Sequence, residues 1–226
     1  MRRADLSRTP MLRRWLVLGG LAAALALPTI AQAAALIEAR IGGTPIRLVA
    51  DRATNRVLLE AGAVRALFDL AGGSVYVGEA SGTRRIHARY RPGHHEPPPF
   101  RIERFGPGPV IAGFVTTYHV LFVGEQVCAE LMTVGWATRF VDPAIRALAM
   151  LEALEPASDD PCQKIPFTTY ATTGWPMIAG KIDHPTLETK KIAFDYRPQP
   201  DELALPTSFA EGDVGHLLEV AKAAGL

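Results

Sequence analysis

The sequence predicts a β-rich α+β domain: a long, mostly antiparallel meandering sheet with one internal helix and one C-terminal helix packed against it. Three observations predict it. Short apolar runs of strand length follow one another through residues 36–196, separated by Gly and Pro. The apolar period becomes helical at only two places, 143–154 and 212–225. No long repeat and no second composition regime divides the chain.

Each element has its own signal. Residues 36–41 and 45–51 read as strands joined by Gly42-Gly43. In the second, Ile46, Leu48 and Ala50 alternate with Arg47, Val49 and Asp51, the period of a half-buried strand. Asn55-Arg56 turns the chain into 57–60. Residues 64–70 and 75–77 flank Ala71-Gly72-Gly73-Ser74, and a glycine pair between two apolar runs signals a hairpin. Residues 84–91 alternate around Ile86, Ala88 and Tyr90. The run 92–99, Pro-Gly-His-His-Glu-Pro-Pro-Pro, cannot pair inside a sheet because proline lacks the donor, so an exposed loop is expected there. A strand resumes at 100–105, a turn is expected at Gly106-Pro107-Gly108-Pro109, and 110–123 is extended, with 126–137 as its partner.

The internal helix is expected over 143–154, capped by Asp142 with Pro143 at its first position. Its apolar stripe is Ile145, Leu148, Ala149, Leu151 and Leu154, and Glu155-Pro156 ends it. Residues 167–173, 175–182 and 186–196 read as further strands, with 203–206 as a short edge piece. The terminal helix gathers Val214, Leu217, Leu218 and Ala221 on one face. The expected total is nine to eleven strands and two helices.

The first 33 residues read as an address rather than as part of the domain. Arg13-Arg14 precedes an uncharged apolar run from Trp15 to Leu27, Pro28 breaks it, and Ala31-Gln32-Ala33 follows. A positive end, a short apolar core and a small-x-small end describe a secretory signal peptide, with cleavage between Ala33 and Ala34. A transmembrane anchor needs about 20 apolar residues, and this run has 13. Leu12 stands where a twin-arginine signal usually has Ser or Thr, so general secretion and twin-arginine export both remain open. The organisation expected is a signal peptide over 1–33 and one domain over 34–226, working in the periplasm with no membrane span in the mature chain.

Removing the leader leaves 193 of 226 residues, enough for one sizeable core. It takes away five of 24 basic and one of 23 acidic residues, leaving 19 against 22 and a formal charge of −3. A nucleic-acid-binding domain is usually clearly basic, so none is expected as a partner. Residues 84–104 are locally basic, through Arg84, Arg85, Arg89, Arg91, Arg101 and Arg104 against Glu96 and Glu103. They read as a solvated strand face and loop or as a patch for an anionic partner. Export also removes ATP and NAD from the expected chemistry, and no cofactor is expected. The only cysteines, Cys128 and Cys162, are expected to form a disulfide that staples the internal helix to the sheet. A thiolate metal site would need a shorter spacing.

Several segments carry a resemblance. They are Ile46-Arg47-Leu48 through Val57-Leu58-Leu59, and Leu67-Phe68-Asp69-Leu70 with Val75-Tyr76-Val77. Further on come Val110-Ile111-Ala112-Gly113-Phe114 with Thr117-Tyr118-His119-Val120, and residues 189–194 leading to Leu203-Ala204-Leu205-Pro206. Over most of 36–206 the pattern resembles a family of exported bacterial domains similar to the lipoprotein-carrier (LolA/LolB-like) superfamily. The resemblance implies a strongly curved antiparallel half-barrel closed by helices. It also implies binding on the concave face rather than catalysis. The inserted helix and cysteine pair go beyond the simplest carrier pattern.

The candidate chemistry divides in two. Phe114, Tyr118, Phe122, Trp136, Trp175 and Phe194 could line a groove for an apolar or amphipathic ligand, a lipid or lipoprotein-like molecule, or meet an envelope partner protein; the alternative is simple core. His94, His95 and Glu96, helped by His87, His119 or His184, could hold copper, zinc or nickel. An exported metal-binding protein or a hydrolase using these histidines is therefore the alternative expectation. Asp183-His184 precedes Pro185 at a turn, where both residue types are common for backbone reasons. No Gly-x-Ser-x-Gly elbow and no Ser-x-x-Lys occurs.

Overall fold

The computed structural model describes residues 33–89, 99–154, 160–162, 165, 167–181 and 184–226. It holds one curved, unclosed sheet with helices against it, as the sequence predicts. The strands are β1 (Ala34–Ile41), β2 (Thr44–Asp51), β3 (Arg56–Ala61), β4 (Val64–Asp69), β5 (Ser74–Glu79), β6 (Gly82–His87), β7 (Phe100–Ile111), β8 (Phe114–Val123), β9 (Gln126–Val134), β10 (Trp175–Lys181), β11 (His184–Tyr196) and β12 (Ala210–Glu211). The helices are α1 (Thr138–Glu152), α2 (Phe167–Tyr170) and α3 (Val214–Ala224).

The sheet order is β12-β6-β5-β4-β3-β2-β1-β11-β10-β9-β8-β7. Two meanders, β1 to β6 and β7 to β11, join where β11 pairs with β1. Every pairing is antiparallel except β12 with β6. This topology demands curvature. In a flat sheet, the ten spacings between β6 and β7 would separate them by about 48 Å. The thirteen steps from His87 to Phe100 reach at most ~47 Å fully extended. His87 and Phe100 also lie at opposite ends of the sheet's strands, His87 pairing with Ser74 and Phe100 with Val123.

The inner face packs on α1 and α3. Val141, Ala144, Leu148 and Leu151 of α1 and Leu217, Val220 and Ala221 of α3 share one buried cluster with Ile37, Leu48, Leu59, Phe68 and Val75. The outer face of β1 to β5 is covered as well. Leu36, Val49, Leu58, Leu67 and Tyr76 pack beneath Leu203 and Leu205. That double cover explains the unbroken apolar runs Val57-Leu58-Leu59 and Val75-Tyr76-Val77, because strands buried on both faces lose the polar alternation.

The outer cover is strapped down by arginines. Arg47 donates to Glu60 (2.8 Å) and Glu202 (2.5 Å), and Arg56 and Arg65 donate to the Leu203 and Glu202 carbonyls. Burial alone would raise the Glu202 carboxyl, but hydrogen bonds from Arg47, Tyr196 and the Gln199 N–H hold it below its ordinary value. A depressed carboxyl adds stability above its unfolded value of about 4.3, and this is lost as pH falls through the folded value. Urea unfolding at pH 7 and pH 3 is therefore expected to show a larger acid loss in wild type than in Glu202→Gln. Equal losses would contradict the strap.

Four segments differ from the sequence expectation. The turn expected at Gly106-Pro107-Gly108-Pro109 is strand: β7 runs through it with bulges at Arg104/Gly106 and Pro107/Val110. β7 is the last strand of the sheet, where prolines sacrifice no inner pairing. The chain turns instead at Ala112-Gly113, whose φ values of 49° and 84° suit a two-residue hairpin.

The internal helix starts at Thr138 rather than at Pro143, and Asp142 is not its cap. The buried face extends back through Val141 and Ala137 at helical spacing, and this packing offsets the donor lost at Pro143. Asp142 instead pairs with Arg146 at 2.9 Å.

Residues 167–173 are helical, not extended. Glu152 accepts the Phe167 N–H at 2.6 Å, and the Thr172 and Thr173 hydroxyls donate back to the Thr169 and Tyr170 carbonyls. Residues 203–206 belong to the strap, and the short edge strand is β12. The remaining helix matches expectation, with Asp213 accepting the Gly215 N–H at 2.9 Å as its N-cap.

Candidate functional site

The exposed apolar side chains gather at one end of the sheet. Phe100, Phe105, Val110, Val115, Val127 and Trp136 are exposed and lie on β7, β8, β9 or the turn after β9. Phe209 and Val214 are the other large ones among the described residues.

An aromatic cluster forms where this end meets α1. A 3-10 turn, Gly135–Ala137, carries Trp136 between β9 and α1. That turn is tight because Gly174 (φ 133°) lies against it; a Cβ there would come within 2.6 Å of the Gly135 Cα. Trp136 stands 4.8 Å from Phe194 on β11, 5.7 Å from Phe114 at the start of β8 and 6.0 Å from Phe140 in the first turn of α1, measured between ring centres. Phe194 closes the set, 5.1 Å from Phe140 and 5.8 Å from Phe114. Trp136 keeps 48% of its surface exposed. The Arg139 guanidinium lies 4.8 Å over the Phe140 ring and pairs with no carboxylate among the described residues. The arrangement offers a half-open aromatic surface with a cation at its rim, suited to an apolar body with an anionic head.

The six aromatics expected to line a groove therefore separate. Phe114, Trp136 and Phe194 come together. Trp175 is a core residue with no exposure, and its Nε1 donates to Thr189 Oγ1 at 3.0 Å. Tyr118 packs 5.6 Å from Phe105 and donates to Glu130 Oε1 at 2.6 Å; that hydrogen bond, with burial, pushes its hydroxyl up to about 12. Phe122 lies 4.3 Å beneath the Arg101 guanidinium. Phe140 is the member that sequence reading missed. Its signal was the i, i+4 spacing from Trp136, hidden by placing the helix start at Pro143.

The polar candidates do not converge. His94, His95 and Glu96 lie outside the described residues, as do Arg91, Asp183 and the side chain of His184. His87 stands 3.7 Å from Glu211. His119 is buried, and burial, with the charge of Arg104, lowers its pKa. Among the described residues no group of three or more His, Cys, Asp or Glu side chains could hold a metal ion.

The basic stretch is not one patch. Arg84 and Arg85 sit on β6 with Glu79 and Glu211 as partners, while Arg101 and Arg104 sit on β7 at the other end of the sheet order. A shallow groove where α3 meets β4 and β5 holds His216, engaged by Asp213 (2.8 Å) and Glu79 (3.5 Å).

Cys128 and Cys162 form the expected disulfide, with Cα atoms 5.0 Å apart. It ties β9 to the segment after α1, and a disulfide is compatible with an exported protein. Among the described residues no helix is long and apolar enough to cross a membrane. Fold and site together define a β-rich half-barrel with helices against its inner face and an aromatic cluster at one end. No family model, no curated protein and no solved structure matches this chain.

Proposed function

We propose that this chain is an exported, disulfide-stapled half-barrel of the lipoprotein-carrier type that binds an apolar or amphipathic ligand, a lipid above all, on the Phe114, Trp136, Phe140 and Phe194 cluster. The observation that carries the reading is Trp136, a tryptophan held half-exposed against three other aromatic rings. An indole in water leaves its apolar surface unburied, and covering it favours binding by about 25 cal/mol per Å². Arg139 at the rim favours an anionic head group over a neutral one. The signal-peptide pattern over 1–33 supports export to the periplasm, and the disulfide is compatible with it.

The site can be read by its own fluorescence. The mature chain has two tryptophans, Trp136 and the fully buried Trp175. Titration with a long-chain fatty acid is expected to shift the emission to shorter wavelength and to saturate. Trp136→Phe should lose the shift, and Phe194→Ala should weaken binding roughly tenfold through lost aromatic contact. A response that never saturates, or that persists in Trp136→Phe, would overturn the site.

A further inference from the structure

β7 ends the sheet, and no described residue pairs with its outer edge. Its first part is regular: Phe100 to Arg104 faces Val123 to His119 of β8, residue for residue, before the bulge at Arg104/Gly106. Pro107 and Pro109 lack N–H donors, so Phe100 to Arg104 is the stretch best fitted to accept another strand. Phe100, Arg101, Glu103 and Arg104 are all exposed.

We propose that this edge pairs with the same edge of a second copy of the chain, antiparallel about a two-fold axis through Ile102. The argument is one of charge and parity. Along a strand, backbone groups point alternately to either side, so two facing residues must share the same parity on identical strands. The axis therefore passes through a residue and not between two. Centring on Arg101, Glu103 or Arg104 would put two like charges face to face on the axis. Centring on Ile102 puts Ile102 against Ile102, Arg101 against Glu103 twice, and Phe100 against Arg104 twice. Opposite charges facing across strands stabilise the pair, and a guanidinium against a phenyl ring adds to it.

The side chains already lie in place. Arg101 donates to Glu103 Oε1 at 2.9 Å within the chain, so two copies would close an alternating ring of four charges. Charges on an edge strand normally repel stray strands. Here the pattern Phe-Arg-Ile-Glu-Arg disfavours the registers centred on its charged residues and favours the one centred on Ile102. The pairing would join two half-barrels edge to edge. It does not depend on the aromatic site.

Sedimentation of residues 34–226 over a concentration series tests it. Wild type is expected to show a reversible monomer–dimer equilibrium. Arg101→Glu and Glu103→Arg each place like charges opposite one another twice and should raise the dimer dissociation constant roughly tenfold or more. The double variant restores opposite pairs and should recover the dimer. Circular dichroism should show that these exposed substitutions leave the fold intact. A wild type that stays monomeric throughout would overturn the proposal. So would a dimer indifferent to the single substitutions, or one that the double variant fails to restore.

Discussion

Replacing Trp175 by alanine is expected to destabilise the fold by about 3–5 kcal/mol, the range for deleting a large buried aromatic. Trp175 has no exposed surface, packs 6.0 Å from Phe167 between ring centres, and donates to Thr189 Oγ1. Thr189 in turn donates to the Pro176 carbonyl, so the indole completes a buried chain of hydrogen bonds across β10 and β11. Alanine leaves both a cavity and a hydroxyl short of its donor. For a domain of this size the loss corresponds to a fall in melting temperature of roughly 6–20 °C. Trp136→Ala, at a half-exposed position, should change stability by far less. Denaturant titration of the two variants separates them. Equal losses would contradict the assignment of one tryptophan to the core and the other to the site.

Opening the disulfide is the second large effect. Cys128 and Cys162 close a loop of 34 residues that contains all of α1. In the loop-entropy account such a link is worth about 3–4 kcal/mol, most of it through the unfolded chain. The Cys128→Ala plus Cys162→Ala double variant should unfold at correspondingly lower denaturant, while the oxidised protein shows no gain from added oxidant. Peptide mapping without reductant should recover the two cysteines as one linked peptide. Two free thiols in protein purified from an oxidising compartment would remove the staple.

The first meander was legible because its signals are local. Gly42-Gly43 and Gly72-Gly73 mark hairpins whose strands need no distant information to be placed. The same holds for α3, whose apolar face of Val214, Leu217, Leu218 and Ala221 has helical spacing. What was not legible depends on distant neighbours. Pro107 and Pro109 look like a turn until β7 proves to be an edge strand. Residues 167–173 have strand-forming side chains, yet Glu152 at the end of α1 caps them as helix. The parallel pairing of β12 with β6 has no short-range signal at all.

The site was half legible for a related reason. Aromatic identity is visible in a sequence, but the face a ring occupies is not. Phe114, Trp136 and Phe194 meet, whereas Trp175 lies in the core and Phe122 under Arg101. Phe140 stayed hidden because the helix was expected to begin three residues after it.

The most direct measurement is native mass spectrometry of the protein isolated from its own cells, wild type beside Trp136→Ala. The wild type should carry an added mass that tandem fragmentation identifies as lipid, and the variant should carry it at a small fraction of that occupancy. Wild-type protein with no bound lipid, or equal lipid on both proteins, would contradict binding at the aromatic cluster.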